Sequence, residues 1–344
     1  MSWLGLALCL AAGPASAVGQ GAGRNTSEFL SLRPSARALG LADSFGPVAE
    51  GPDAAFFNPA GLAALRAPAF AYTRNEYLRM FHHDYYALAA PFSRLDGGVA
   101  FSASILTQDT LPLVDKDGVA FGYFRPHSEA FSLAYGRTLH GGGEVAPEAD
   151  APSTWSLPGT VRARVRPHDP WKAGLAFGAA LKAVYERYYN VRGNALAADL
   201  GFLWRPETVG GLSLSAAGRN LGGPMKFAHE KPNLPGELSV GAAYDARLRE
   251  RHRFLPVLEL HLPYYGEASA GLALEYSVQW VETGVRLSYR AGYDTHAVYD
   301  NELLAGLTVG LGFQVDALSV DFGFQPQGAL GDSFRMSLGW AFGP

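Results

Sequence analysis

The stretch Ser333-Phe-Arg-Met-Ser-Leu-Gly-Trp-Ala-Phe342 decides the fold class of this chain. Its even-numbered residues are large and apolar, and its odd-numbered residues are small, hydroxylated or charged. Alternation with a period of two predicts a β-strand that has one apolar and one polar face. An apolar row that ends in aromatics near a C-terminus is typical of the last strand of an outer-membrane β-barrel. Trp340 and Phe342 are therefore the candidate C-terminal barrel signal.

The same alternation recurs along most of the chain, and it predicts about fourteen strands between Ala67 and the C-terminus. Their expected centres are Phe70, Leu88, Phe101, Leu133, Leu181, Leu200, Leu214, Val240, Leu258, Leu274, Leu287, Val309, Val320 and Leu338. The apolar rows are about nine to eleven residues long, which is enough for a tilted strand to cross a bilayer. Many rows end in an aromatic residue, as interfacial girdles do. The predicted fold is an all-β, antiparallel transmembrane β-barrel over residues 67–344.

The composition agrees with a barrel in which the hydropathy of the apolar outward face and that of the polar inward face cancel in the average. Charged residues make up 17% of the 344 residues, below the roughly 25% of soluble domains. The mean hydropathy is +0.00 although 48% of the residues are hydrophobic. The net charge of −4, without a basic stripe, argues against a nucleic-acid partner.

The N-terminus has the pattern of a signal peptide over residues 1–17. Leu4 to Ala12 are apolar, and Ala15-Ser16-Ala17 fits a small-x-small cleavage site. The single cysteine, Cys9, lies in this leader, so we expect no disulfide or thiol chemistry in the mature chain. Export without an apolar helical anchor predicts the outer membrane of a Gram-negative-type bacterium as the location.

An even strand number places both ends of the barrel in the periplasm. Four short connections then become periplasmic turns, and three longer ones become external loops: residues 94–98, 205–211, 279–282 and 315–317, and residues 108–127, 219–235 and 294–301. The segment 140–170 is long where a periplasmic turn is due. It is either an insertion or a sign that the strand count is off by one. Its cluster of three arginines, Arg162, Arg164 and Arg166, is either a solvated loop face or a docking patch.

The polar faces of the predicted strands carry charges of both signs. The lumen charges singled out are Asp199, Glu275, Arg286, Arg290, Asp321 and Arg335. They either pair with one another and rigidify the barrel, or they line a path for a substrate.

Residues 18–66 lack the two-residue period and are predicted to form a short helical hatch in the lumen. Ser35 is expected to cap a helix over 35–43. Asn58 is expected to cap a second helix that begins at Pro59, a residue suited to the first helical position. Asn58 is then either a purely structural cap or an anchor whose amide bonds the barrel wall and gates passage.

The block from Ala36 through Gly40 to Phe56-Phe57-Asn58-Pro59-Ala60-Gly61-Leu62-Ala63 resembles the N-terminal signature of the PorV/PorQ family, which belongs to the FadL-like barrel superfamily. Gly218-Arg219-Asn220-Leu221-Gly222 with Leu234-Pro235, and the ending from Pro326 to Phe342, are also similar to that family. The chain departs from the family pattern at Pro47, at Glu50 to Pro52, and in the 140–170 segment. The resemblance implies a fourteen-stranded barrel with an N-terminal hatch. It marks Gly40, Asn58, Pro59, Ala60 and Gly61 as the hatch motif.

Enzymatic chemistry finds little support in the sequence. His82 and His83 are adjacent on a predicted strand, so their side chains point to opposite faces and cannot easily share a metal ion. No nucleophile elbow, phosphate loop or His-Glu-x-x-His motif occurs. We therefore predict a non-enzymatic protein with no catalytic residue, metal or cofactor, although lumen side chains could still assemble into a hydrolase site.

Three functions remain open at this stage. The resemblance implies either passage of small hydrophobic molecules across the outer membrane, or an adaptor barrel of a type IX-like secretion or surface machine. A soluble β-sandwich adhesin is the third. The expected partners are outer-membrane lipid, the barrel-assembly machinery, and either a hydrophobic ligand or secretion-system components. An apolar pocket in the lumen would favour transport.

Overall fold

A computed structural model of the chain describes residues 25–77, 80–140, 174–227, 231–248, 251–280, 283–295, 303–326 and 332–342. The predicted signal peptide (1–17) lies outside the described residues, as does the predicted 140–170 segment beyond His140. Within the described part, no helix is long and apolar enough to span a membrane.

Fourteen antiparallel strands close into a barrel. Closure comes from the pairing of the first and last strands, with Ala69 opposite Ala341. The strands of the wall are β1 (Ala69–Tyr77), β2 (Phe81–Phe92), β3 (Gly97–Gln108), β6 (His127–His140), β7 (Gly174–Tyr188), β8 (Val191–Arg205), β9 (Leu212–Gly222), β10 (Glu237–Tyr244), β12 (His252–Pro263), β13 (Ser269–Trp280), β14 (Val285–Asp294), β15 (Leu307–Val315), β16 (Leu318–Pro326) and β17 (Asp332–Ala341).

Each of the fourteen predicted strand centres lies in a different strand of the wall, so the predicted fold class is confirmed. Three short strands were not predicted. β4 (Leu111–Val114) and β5 (Ala120–Phe124) form a separate hairpin inside the predicted 108–127 loop. β11 (Ala246–Leu248) prolongs β10 along β12. Strands of three to five residues carry too few alternations to be recognised from a pattern.

The outer face of the barrel is apolar. Leucines on neighbouring strands are among its most exposed side chains, with Leu181 70% and Leu196 74% exposed. Trp204, Trp280 and Trp340 lie at one end of this face. Monomeric soluble proteins rarely expose apolar patches of such extent, whereas a bilayer requires them. The hypothesis of a soluble sandwich, in which these rows form a core, is therefore wrong.

We call the end where β1 begins and β17 ends the terminal end, and the opposite end the loop end. β6 and β7 pair with each other and are joined at the terminal end. The strand count is therefore correct, and the explanation that it was off by one is wrong.

Residues 25–66, which we call the plug, run through the lumen from one end to the other. At the loop end Asn25 forms a parallel bridge with Asn233. At the terminal end the plug leads directly into β1. Its short helices are α1 (Ala36–Gly40), α2 (Ala54–Phe57) and three 3-10 segments, Glu28–Ser31, Gly46–Val48 and Pro59–Ala64.

The plug helices begin where the sequence predicts and end earlier. Ser35 Oγ accepts the Ala38 N–H (3.5 Å) and begins α1 as expected. The predicted helix over 35–43 stops at Gly40 because Ala42 and Asp43 both take a left-handed conformation (φ 54°). The second predicted helix, at Pro59, is a 3-10 segment.

The plug has an aromatic centre. The rings of Phe45 and Phe57 lie 4.9 Å apart between centroids, and Phe56 lies 5.1 Å from Phe57. Tyr85 of β2 meets Phe56 edge-on at 6.0 Å. The wall contributes small alanines around these rings, so large plug side chains fill the space that the small wall side chains leave.

Candidate functional site: the plug–wall interface

Asn58 joins the plug to the wall while also capping the segment that follows it. Its Oδ1 accepts the Ala60 N–H (3.1 Å), and its Nδ2 donates to the Phe202 carbonyl oxygen of β8 (3.0 Å). The residue is fully buried. The two interpretations drawn from the sequence therefore coexist in one side chain, as cap and as wall contact.

A row of glycines lets the backbone of residues 58–62 lie directly on the wall. Gly98, Gly136, Gly178 and Gly201 stand in register across β3, β6, β7 and β8. A Cβ on any of the four would overlap the plug segment that begins at Asn58. Glycine inside a strand often marks such a close backbone approach.

On the opposite side of the plug, glycines again allow the backbone to lie directly on the wall. Gly40 of α1 lies against Gly310 of β15, and a Cβ on Gly40 would come within 2.9 Å of the Gly310 Cα. A Cβ on Gly323 of β16 would likewise come within 2.7 Å of the Ala36 carbonyl oxygen. Because both sides are this close, the plug and the wall leave little space between them.

A buried ion pair ties the middle of the plug to the last strand. Arg335 donates from NH1 and NH2 to the two carboxylate oxygens of Asp43, at 2.6 and 3.2 Å. Both side chains are less than a tenth exposed. The nearby Ala36 N–H also donates to Ser337 Oγ of the same strand (2.8 Å). Bidentate pairs of this kind fix orientation as well as supplying binding energy.

Glu275 of β13 is the centre of the largest charge cluster. Its carboxylate accepts Arg37 of the plug (2.9 Å) and Arg290 of β14 (2.7 Å). Arg253 of β12 approaches to 3.6 Å. Arg290 also bonds Asp321 (2.7 Å). The Glu275 carboxylate of the wall thus attracts one cation of the plug and two cations of the wall.

A second cluster lies above it, towards the loop end. Glu237 accepts Arg33 of the plug (3.1 Å), Arg219 (2.6 Å) and His261 (3.0 Å). Arg219 in turn lies over the Phe56 ring, 5.3 Å from its centroid.

The predicted lumen charge Asp199 belongs to the same side of the barrel. Lys182 contacts its Oδ2 at 2.7 Å, and the Asn220 N–H donates to its Oδ1 at 2.8 Å. Lys182 also donates to Asn220 Oδ1 (2.9 Å). Asn220 sits at an irregularity in the β8–β9 register with a left-handed φ of 55°.

Five of the six predicted lumen charges therefore form ion pairs: Asp199, Glu275, Arg290, Asp321 and Arg335. Arg286 instead donates to Gln279 (2.9 Å) near the terminal end. This arrangement agrees with the pairing interpretation rather than with a row of charges free to lead a substrate. The predicted residues Asp199 and Arg286 do not share one cluster.

The adjacent histidines face opposite ways, as expected. His82 lies on the outer face beside Glu76 (2.6 Å), and His83 lies in the lumen, 2.7 Å from Ser104 Oγ. Among the described residues, no group of three side chains is placed to hold a metal ion.

A second apolar region, separate from the aromatic centre of the plug, is a pocket at the loop end of the lumen. Its wall is Ala130, Val184 and Ala197 on β6, β7 and β8, and it is covered by Met225 and Leu234. Two plug residues, Phe29 and Leu30, fill it and are 4% and 2% exposed. Sequence alternation did not reveal this pocket because its wall residues are short and its occupants lie outside any strand.

Asp53, at the start of α2, is a carboxyl group with a raised pKa. Burial raises its pKa from 3.8 to about 6, although Ser35 bonds it and opposes the shift. A raised carboxyl pKa favours the docked plug while the group is protonated, and this contribution is lost as the pH rises through about 6. We expect brief pore openings in planar bilayers to become more frequent between about pH 4 and 7. Asp53→Asn should remove this pH dependence, and an unchanged slope would contradict it.

Asn58 allows its two bonds to be tested separately. Asn58→Ala removes both the cap and the wall contact, and a lost cap alone costs about 1 kcal/mol. Asn58→Asp keeps the acceptor for Ala60 and loses the donor to Phe202. We expect openings in planar bilayers to be about tenfold more frequent in the alanine variant. An aspartate variant as quiet as wild type would show that the wall bond contributes nothing.

Comparison with known proteins gives structural neighbours only. No protein-family model and no curated protein matches the chain. A Pseudomonas aeruginosa FadL homologue is 11% identical over 90% of this chain and 98% of its own, with a TM-score of 0.49. The P. putida toluene transporter TodX is 9% identical over 86% and 95%, with a TM-score of 0.44. The KdgM porin is 8% identical over 81% and 100%, with a TM-score of 0.35.

Proposed function

We propose that this barrel passes small, largely apolar molecules across an outer membrane, with the plug as its gate. The carrying observation is the apolar pocket at the loop end, where Phe29 and Leu30 of the plug pack against Ala130, Val184 and Ala197 of the wall. Ligand sites are mostly apolar cavities with a few polar groups. A pocket of this composition at the mouth of a closed barrel suits an apolar solute entering from outside.

Polar contacts between plug and wall make a gate physically reasonable. Arg37–Glu275, Arg33–Glu237 and the Asn58 amide are bonds that water can replace when the plug shifts. The barrel wall does not depend on them for closure, because its strands pair with one another all around.

Uptake of 1-N-phenylnaphthylamine tests this proposal. This apolar dye is excluded by an intact outer membrane and fluoresces once it reaches membrane lipid. Cells of a Gram-negative host that produce the barrel should take it up several-fold faster than cells with the empty vector. Entry of hydrophilic nitrocefin should stay unchanged, which separates selective passage from leakage. Equal dye uptake in both strains would overturn the proposal.

A second function, an adaptor barrel for protein secretion or a surface machine, is favoured by a different observation. The plug lies directly against the wall on opposite sides through glycine contacts. A permanently closed barrel would serve as a docking platform. Gentle detergent purification from outer membranes discriminates the two. Recovery of a translocon or of secreted proteins near one-to-one with the barrel would select the adaptor, provided that dye uptake is no faster than in cells with the empty vector.

A further inference from the structure

We propose that the outer face of the barrel carries a binding site for one anionic phospholipid at the terminal end. An acyl chain lies in an apolar groove on the wall, and the phosphate lies among arginines next to that groove. The inference does not depend on transport through the lumen, because the groove is on the opposite side of the wall from the plug.

The groove is a gap of about 300 Å³ in the apolar surface that β1, β2, β3 and β6 present to the bilayer. Its floor is made of short side chains, Ala90 of β2 paired with Val99 of β3. Its rim towards the loop end is a row of large side chains that are half or more exposed: Leu88, Phe101 and Leu133. Every residue that lines the groove is apolar. Because an empty gap forfeits dispersion contacts, hydrocarbon is its natural occupant in a membrane.

The end of the chain closes the groove on the side of β1. Phe342 lines the groove, and its N–H donates to the Pro68 carbonyl oxygen just before β1 (2.7 Å). The ring of Phe342 also stacks on Trp340, with 6.4 Å between centroids. Aromatic side chains at the end of an apolar band lie at the level of the lipid headgroups. The groove is therefore placed for the acyl chain of a lipid whose headgroup lies at the terminal end.

Three exposed arginines lie at the terminal end of these strands: Arg66, Arg94 and Arg137. Arg66 stands two residues before Pro68, which lines the groove. Arg94 lies in the 3-10 segment Ser93–Leu95, which joins β2 to β3. Long arginine side chains at a membrane boundary extend their charged ends to the headgroup level.

The position of Arg137 is fixed by the pairing of β6 with β3. Arg137 lies opposite Gly97, which is two residues, or about 7 Å, from the floor of the groove. The Tyr135 ring covers Gly97, where a Cβ would come within 3.0 Å of it. The Tyr135 hydroxyl donates to the Leu95 carbonyl oxygen. This bond ties the turn that carries Arg94 to the strand that carries Arg137.

The charge of these arginines is not balanced by the protein. Within the part of the chain that the structure describes, none of the three forms an ion pair or a side-chain hydrogen bond. Asp96 is the one acidic residue in the β2–β3 turn, so three arginines and one aspartate give a net charge of +2. Guanidinium groups bind phosphate oxygens in bidentate geometry. This excess of positive charge favours an anionic phospholipid over a zwitterionic one.

The orientation of the barrel decides between the lipids of the two leaflets. An even number of strands places the terminal end on the periplasmic side. The periplasmic leaflet of an outer membrane consists of phospholipid, and its anionic members carry a phosphate next to two acyl chains. A phospholipid of that leaflet therefore matches both the groove and the arginines.

Native mass spectrometry of the purified full chain tests the inference by titration with phosphatidylglycerol or with phosphatidylethanolamine of the same acyl chains. We expect one phosphatidylglycerol per barrel, bound at least severalfold more tightly than phosphatidylethanolamine. Arg137→Gln should weaken phosphatidylglycerol binding about fivefold, the factor typical of one arginine at an anionic lipid surface. Arg187→Gln is the matched control, since Arg187 is an exposed arginine at the loop end, and it should leave binding unchanged.

A second variant tests the groove separately from the phosphate site. Ala90→Phe fills the floor, leaves the arginines in place, and should weaken phosphatidylglycerol binding about tenfold. Ala183→Phe, at an outward position of β7, is its control. Heat-modifiable migration on gels shows that each variant has a folded barrel.

Four results would overturn the inference. The first is equal binding of the two lipids. The second is phosphatidylglycerol binding that neither Arg137→Gln nor Ala90→Phe weakens. The third is binding of glycerol 3-phosphate, which has no acyl chain, as tightly as phosphatidylglycerol. The fourth is a mass of two chains without bound lipid, because a second copy would then cover the groove.

Discussion

Gly178→Ala should open the barrel to ions. A Cβ at this position would overlap the Pro59 and Ala60 backbone, which cannot rotate away as a side chain can. Gly178 itself has no positive φ, so alanine is compatible with the strand and the clash falls on the plug. Overpacking costs about 1–3 kcal/mol, which lowers the docked-to-undocked ratio of this part of the plug by a factor of about 5 to 150.

Single-channel recording measures this effect as the fraction of time the pore conducts. Gly210→Ala is the matched control, because nothing lies within 4 Å of a Cβ at that position. Gly178→Ala/Gly201→Ala should conduct more than either single variant. If Gly178→Ala is as quiet as Gly210→Ala, the plug does not lie against this row of glycines.

Glu275→Gln should have the largest effect on stability. The substitution keeps the shape of the side chain and removes the charge that Arg37, Arg290 and Arg253 share. Breaking a buried ion pair by removing one partner typically costs about 3–5 kcal/mol, because the remaining charges stay buried. The midpoint of urea unfolding, followed by heat-modifiable migration, should fall clearly.

Glu267→Gln is the control for this prediction, since Glu267 is exposed in a loop. Arg37→Gln in the Glu275→Gln background should restore part of the lost stability, because it removes one of the three cations that repel one another once their shared carboxylate is neutral. An unfolding midpoint equal to that of wild type would contradict the central place of Glu275 in the cluster.

The wall was predictable from sequence because its information is local. Each strand of the wall can be recognised from alternation over eight to fifteen residues, as in β8 (Val191–Arg205), and fourteen such rows suffice to count the strands of the barrel. Asn58 and Pro59 could likewise be recognised, since an N-cap followed by proline is a local signal. The glycine row is also a local signal in the sequence, because glycine inside a strand suggests close approach by another backbone.

The plug anchors could not be predicted, because each depends on two distant segments. Asp43 and Arg335 are 292 residues apart in sequence, and Arg33 is 204 residues from Glu237. Which plug residue meets which strand follows from the path of the plug, and that path has no period. The apolar pocket could not be predicted for the same reason, since Phe29 and Leu30 pack against wall residues from three strands.

The central claim is that residues 25–66 close an otherwise open barrel. The most direct test compares the conductance of the full chain with that of a chain lacking residues 25–64, both shown to be folded by heat-modifiable migration. We expect the full chain to be closed almost all the time and the shortened chain to form a large, permanently conducting pore. A shortened chain that folds and remains as closed as the full chain would contradict the account.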